Sequence, residues 1–291
     1  MKKNKIKDTG LEVTELSFGT SSLGSMPDTY GYEVPEQRAQ ETLKRFFQGP
    51  VNMLDTSRNY AMGESEKRIG IAIKENGGWP ENFILSTKID RNMETLVLDK
   101  KRTRESIEES LKTLNVDSVD ILFLHDPEYV KDLNEVTKKD GALDELFKIK
   151  EEGLAKAVGL AMGKINIMFP LLKNWDFDVI INHNRYTLLN READEMYSYA
   201  HSKNISIFNA APYAGGVLAK GPSNFKKITY QDVTEEKLAP AREIEKVCKK
   251  YNVEMGAAAL QFSMKDKRIT STLCGVTSIQ SIEKNLSLIH I

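Results

Sequence analysis

Short runs of apolar and β-branched residues alternate along this chain with longer charged stretches whose apolar positions recur every three or four residues. The short runs predict strands at Glu15–Gly19, Val51–Asp55, Phe83–Lys88, Val119–His125, Ala157–Ala161, Val179–Asn182, Ile205–Ala210 and Thr270–Val276. The longer ones predict helices at Pro35–Phe47, Glu64–Lys74, Arg102–Leu114, Ala142–Glu152, Asn166–Leu172, Ala193–Ser202 and Glu236–Tyr251, with a last helix over Ile279–Leu288. Met255–Met264 follows Tyr251-Asn252-Val253 closely and reads either as a continuation of the helix before it or as a separate one. Ile121-Leu122-Phe123-Leu124 is apolar at every position, the mark of a strand buried on both faces, as parallel strands are.

Eight strand–helix units in 291 residues, at about 36 residues each, are the arithmetic of a (β/α)8 TIM barrel. Asp8-Thr9-Gly10, inside Lys5–Val13, is a turn signal between two short runs and predicts a short N-terminal β-hairpin closing the barrel's bottom. No Pro/Gly/Ser-rich linker divides the chain, so a single domain over residues 1–291 is expected. A doubly wound sheet is the alternative, but Gly19-Thr20-Ser21-Ser22-Leu23-Gly24 does not fit the glycine fingerprint expected after its first strand.

Composition narrows the function classes. Lys and Arg number 41 against 42 Asp and Glu, a balance that argues against a dedicated nucleic-acid binder. The apolar runs span about half a dozen residues where a bilayer needs roughly twenty, so no membrane span is expected. Met1–Asp8 is basic but leads into no apolar signal core. Two cysteines, Cys248 and Cys274, make neither a disulfide framework nor a metal knuckle; a reducing, cytoplasmic setting and no metal are the expectation.

Barrels of this kind carry their chemistry at the carboxyl ends of the strands. Asp55, Lys88 and His125 end the second, third and fourth predicted strands, and Tyr60 lies in the loop after Asp55. Taken singly, these read as a cap, a solvated lysine, a turn histidine and a surface tyrosine. Together they place a carboxylate, an ammonium, an imidazole and a phenol at one mouth. A phenol with its ordinary pKa of about 10 transfers protons poorly at neutral pH. A close ammonium is expected to lower that value, a carboxylate to hold the ammonium, and an imidazole to orient a substrate oxygen. Such a set suits proton transfer to an oxygen whose carbon exchanges a hydride, and the hydride then requires a nicotinamide or flavin.

These residues resemble the aldo-keto reductase family. Asp55-Thr56-Ser57-Arg58-Asn59-Tyr60, with Ser65-Glu66 beyond it, is similar to the family's Asp-Thr-Ala-x-x-Tyr motif and its Ser-Glu. Ser86-Thr87-Lys88 is similar to the family's Thr-Lys strand and Leu122-Phe123-Leu124-His125 to its histidine strand. Thr9-Gly10-Leu11-Glu12-Val13, Leu16-Ser17-Phe18-Gly19-Thr20 and Gly275-Val276-Thr277-Ser278 extend the likeness from about Lys5 to Leu288. The resemblance implies a (β/α)8 barrel that binds NAD or NADP. By it, Tyr60 is the general acid/base, Lys88 lowers its pKa, Asp55 pairs with Lys88 and His125 orients the carbonyl. It assigns cofactor contacts to Gly19, Thr20, Asp55, Gly216, Leu218, Gly275, Thr277 and Asn285.

Three features are similar to the branch that oxidises L-fucose, L-galactose or D-threo-aldoses, with a pyridoxal dehydrogenase nearby: the longer Tyr60-to-Ser65 interval, Asn184-Arg185-Tyr186-Thr187-Leu188-Leu189, and Asn209-Ala210-Ala211-Pro212-Tyr213. The chain departs from the common family pattern at Ala161-Met162, where Ser-Asn is usual, and at Ala210, where an aromatic is. His183 stands near the usual glutamine and reads as a substitute hydrogen-bond donor or as a solvated strand end. Gly275 and Ser281 occupy positions where NADP-specific members carry cations, so NAD is slightly favoured, with Lys284 the first cation to consider otherwise. The loops Met26–Tyr32, Glu128–Lys139 and Ala214–Gln231 bring Tyr30, Tyr32, Tyr129, Phe225 and Tyr230 toward the expected pocket, with Tyr213 just before the last.

The expected activity is therefore NAD(P)-dependent interconversion of an aldose or similar aldehyde/alcohol pair. A broad carbonyl reductase and a nicotinamide-sensing regulatory subunit are the alternatives. A small sugar or aldehyde is the expected partner, and either a monomer or a homodimer fits.

Overall fold

The chain begins with two short antiparallel strands, β1 (Lys3–Lys5) and β2 (Glu12–Thr14). Then come β3 (Leu16–Gly19), β4 (Met53–Asp55), β5 (Ile84–Ile89), β6 (Val119–His125), β7 (Ala155–Met162), β8 (Val179–His183) and β9 (Ser206–Ala210). A two-residue pair, β10 (Lys227–Ile228) and β11 (Gln231–Asp232), precedes β12 (Ser271–Gly275). The structure, a computed structural model, describes residues 1–291. In it β3 to β9 and β12 form a closed parallel barrel in the order β12-β3-β4-β5-β6-β7-β8-β9. This is the (β/α)8 barrel that the alternating pattern predicts.

Period-two alternation sorts each strand's side chains between two cores. Met53, Ile84, Ile121, Phe123, Ala157, Val179, Ile181, Phe208 and Leu273 fill the barrel. Leu54, Leu85, Leu122, Leu124, Val158, Leu160, Ile180 and Ile207 face out into the layer shared with the helices. Each large apolar side chain so buried contributes roughly 1.5–3 kcal/mol. A Cβ on Gly159 would lie 1.9 Å from the Val179 carbonyl oxygen and 3.0 Å from the Phe123 ring. Only glycine lets β7 approach β8 this closely beside Phe123.

The N-terminal hairpin plugs the end where the barrel strands begin. Ile6 and Val13 are fully buried and, with Leu11, join the barrel's interior. Asn52 fastens the plug: its Oδ1 accepts from Thr14 N at 2.9 Å and its Nδ2 donates to Glu12 O at 2.8 Å. That role explains why β4 starts at Met53 and not at Val51. The helix Glu235–Lys250 ends before Asn252, whose φ of 52° is left-handed, so Met255–Met264 is a separate helix. Short helices at Pro27–Tyr30, Leu133–Thr137 and Val217–Lys220 lie within the three long loops.

Candidate active site

Parity along the strands aims the polar groups. On β5, Ile84, Ser86 and Lys88 share the inward face, and on β6 Ile121, Phe123 and His125 do. Lys88 is 1% exposed and all three of its ammonium hydrogens have acceptors. Nζ donates to Asp55 Oδ2 at 2.7 Å, to Thr56 O at 2.7 Å and to Tyr60 OH at 3.0 Å. Ser86 Oγ donates to the other Asp55 oxygen at 2.8 Å. Tyr60 opens a turn, Tyr60–Gly63, in which Ala61 and Met62 both take left-handed φ, 52° and 56°. This strained turn brings the phenol back over the barrel, where its ring meets His125 edge-on at 5.8 Å between centroids.

Burial, reinforced by the Asp55 carboxylate, holds the Tyr60 phenol well above its ordinary pKa. Burial thus outweighs the lowering expected from Lys88. Asp55 pairs with the ammonium at 2.7 Å, so the pair presents little net positive charge while desolvation acts on the phenolate in full. The resting group is a hydroxyl.

His125 has a partner that the sequence reading did not name. Asp90 Oδ1 lies 2.6 Å from His125 Nδ1, and its Oδ2 accepts from Asn59 N at 2.9 Å and from Ser57 Oγ. With Nδ1–H committed to Asp90, Nε2 is the nitrogen presented to the cavity. Burial alone would lower the imidazole's pKa, but Asp126 and Asp90 together outweigh it and raise the value above the ordinary one. Asp90 in turn is held below the carboxylate range: burial opposes its charge, and His125, Ser57 and Asn59 prevail. The parity signal for Asp90 was present, two residues past Lys88.

These groups sit in a cavity of about 480 Å³ at the carboxyl ends of the strands. Asp55, Tyr60, Lys88 and His125 all line it. So do Gly19, Gly216, Gly275 and Thr277 among the residues assigned to a cofactor. Thr20, Leu218 and Asn285 lie behind the wall. Thr20 Oγ1 donates to Asp55 O at 2.9 Å, Leu218 packs with Leu238 and Ala241, and Asn285 Oδ1 accepts from Tyr213 OH at 2.6 Å. The cavity is lined by small and apolar side chains at Ala161, Ile181, Ala210 and Leu273. Met162, by contrast, is in the outer core. His183 lines the cavity with its ring packed against Gly163.

Tyr30, Tyr32, Tyr213, Phe225 and Tyr230 line the cavity, whereas Tyr129 is half exposed outside it. Tyr30 meets Tyr230 edge-on at 5.5 Å and shares a 2.6 Å hydrogen bond with Ser21. The first and third loops thus touch over the cavity. At its far end Ser281 is used in the cap of Ile279–Leu288, where its Oγ accepts from Thr277 N at 2.9 Å and from Ser278 N at 3.0 Å. Lys284 is paired with Glu254 at 2.6 Å.

Known proteins are similar to this chain in sequence and in fold. The aldo/keto reductase family model matches residues 15–291. The chain is 30% identical to L-galactose dehydrogenase of Arabidopsis thaliana, over 97% of this chain and 86% of that protein. It is 26% identical to D-threo-aldose 1-dehydrogenase of a Pseudomonas species, over 95% of this chain and 89% of that one. Among solved structures, the holo form of an aldo-keto reductase from Bacillus halodurans superposes with a TM-score of 0.78 at 22% identity, covering all of this chain and 91% of that one. A barrel whose strand ends gather Asp55, Tyr60, Lys88 and His125 around one cavity, and whose sequence matches that model almost throughout, belongs to the aldo/keto reductase family.

Proposed function

We propose that the protein is a nicotinamide-dependent oxidoreductase that interconverts an aldose, or a similar small aldehyde or alcohol, with its oxidised or reduced partner. The observation that carries the reading is the position of Lys88 Nζ, 2.7 Å from Asp55 and 3.0 Å from the Tyr60 hydroxyl, with the His125 ring across from that phenol. The identities with L-galactose dehydrogenase and D-threo-aldose 1-dehydrogenase support a sugar-like substrate.

The cavity suits the cofactor. Ala161, Ile181, Ala210 and Leu273 offer a surface for a flat ring, and Gly215 and Gly216 bare their backbone beside Lys220 and Lys227, whose charges match a diphosphate. Gly275 leaves open space, with Ser22 Oγ at 3.8 Å from where a Cβ would stand. A bound nicotinamide supplies or accepts the hydride, which no side chain can do. With Gly275 and Ser281 where cations would grip a 2′-phosphate, NAD is the favoured form.

The reacting oxygen sits between Tyr60 OH and His125 Nε2. In reduction the Tyr60 hydroxyl gives that oxygen its proton, and the imidazole, whose pKa Asp126 and Asp90 raise, donates a second hydrogen bond from Nε2 when it is protonated. In oxidation Tyr60 first has to lose its proton, and Lys88 stabilises the phenolate that results. Because burial keeps the phenol protonated at neutral pH, oxidation should quicken with rising pH, while reduction should fall only where His125 loses its proton.

The test is formation of reduced nicotinamide from NAD and from NADP across a panel of aldoses and pyridoxal. Turnover of a few aldoses, with the lower KM for NAD, is expected. A lower KM for NADP overturns the cofactor choice. Reduction of many unrelated aldehydes instead would favour a broad carbonyl reductase, and tight cofactor binding with no turnover a regulatory subunit.

A further inference from the structure

Asp126 follows His125 and, apart from the effect of its charge on that imidazole, has no part in the proton transfer above. Its backbone is left-handed (φ 44°, ψ 50°), its N–H is tied to Ala161 O at 2.9 Å, and Pro127 follows. This turn places the carboxylate in the cavity wall. Oδ2 lies 3.7 Å from His125 Nε2 and Oδ1 lies 3.9 Å from His183 Nε2, both too long for hydrogen bonds. Oδ1 is shielded from solvent and has no hydrogen-bond partner in the protein. The group is nonetheless ionised: burial opposes its charge, but His125, His183 and Arg91 hold its pKa down to about 2.

A shielded carboxylate oxygen without a donor is costly, and ligands complete such sites. Two imidazoles and a guanidinium surround it, so a further cation is disfavoured and a neutral O–H is the fitting donor. The place of that O–H follows from geometry. The reacting oxygen lies on His125 Nε2, and the nearer oxygen of the carboxylate, Oδ2, stands 3.7 Å from that nitrogen. A hydroxyl on the neighbouring carbon spans that gap, because vicinal oxygens stand about 3 Å apart, which is a hydrogen-bond length.

We propose that Asp126 accepts a hydrogen bond from the hydroxyl on the carbon next to the reacting one, and so selects α-hydroxy aldehydes and polyols over plain aldehydes. The inference rests on the oxidoreductase reading and names the substrate class for that site. Sites built to bind a substrate hydroxyl discriminate strongly against analogues that lack it. For this partly solvated carboxylate about a hundredfold is expected.

The experiment compares kcat/KM for glyceraldehyde and propanal, with reduced nicotinamide, in the wild type, Asp126→Ala and Asp126→Asn. The ratio within one protein cancels whatever each substitution does to His125. A wild-type ratio of about a hundred that falls at least tenfold in Asp126→Ala is the expected result. An unchanged ratio overturns the proposal. If Asp126→Ala fails to fold, the isosteric Asp126→Asn answers the same question with a smaller drop of the same sign. Should the wild type reduce neither aldehyde, the oxidoreductase reading fails on its own, and thermal shifts by glycerol against 1-propanol decide the inference. A glycerol-specific shift that is lost in Asp126→Asn sustains the hydroxyl site, and equal shifts in both proteins remove it.

Discussion

At the scale of single residues, the site is governed by who neutralises whom. Lys88 satisfies three acceptors and cannot leave them without stranding Asp55, a buried carboxylate. Asp90 does for His125 what Asp55 does for Lys88, fixing one nitrogen so that the other faces the cavity. Asp90→Asn should therefore cost about 10- to 100-fold in kcat, in the range of a mispositioned acid or base. It should also move the His125 limb of the pH–rate profile downward, because one of the two carboxylates that raise the imidazole's pKa is gone. A fall in kcat with the limb unmoved would reduce Asp90 to a packing role. Asp55, Lys88 and His125 were legible because polar residues closing apolar runs stand out. Asp90 was not, because the predicted strand ends at Lys88 whereas β5 continues to Ile89 and carries the inward parity on to residue 90. The direction of the Tyr60 shift was illegible for a different reason: spacing shows a neighbouring ammonium but not the enclosure that outweighs it.

At the scale of elements, the helix Glu64–Glu75 and β5 meet through a buried carboxyl group. Glu66 is fully buried, accepts from Thr87 Oγ1 at 2.6 Å, and has its Oε2 without a partner. Burial raises its pKa to about 7, with the Thr87 bond opposing. The folded state therefore binds a proton that the unfolded chain releases near pH 4.5. Stability from this group is complete below that pH and is lost as pH rises through about 7, by on the order of 3 kcal/mol. Glu66→Gln should abolish this component and raise the melting temperature at pH 8 above that of the wild type. Denaturant midpoints at pH 5.5 and 8 in both proteins check it, and equal pH slopes would contradict it. Strands and long helices were legible from periodicity to within a few residues. Asp99, whose side chain accepts from Arg102 N, starts its helix at Lys100, ahead of the first periodic residue. The small elements at Pro27–Tyr30, Leu133–Thr137, Val217–Lys220 and β10–β11 carry no period long enough to see.

At the scale of the whole molecule, the barrel separates stability from chemistry. The hairpin plug and the apolar layers hold one end, and the other gathers side chains from β4 to β9, from β12 and from the loops Met26–Tyr32 and Ala214–Gln231 around one cavity. Tyr30 and Tyr230, from loops about 200 residues apart, meet over that cavity, a contact that spacing along the chain does not reveal. No helix is long and apolar enough to cross a membrane. The account's central claim is that Tyr60, held protonated beside the Lys88–Asp55 pair, is the group that exchanges a proton with the substrate. Single-turnover hydride transfer in wild type and Tyr60→Phe, with nicotinamide affinity measured in parallel, tests it most directly. A loss of several orders of magnitude in the transfer rate, with cofactor affinity within a few-fold of wild type, is the predicted result. Near-normal transfer in Tyr60→Phe would contradict the mechanism.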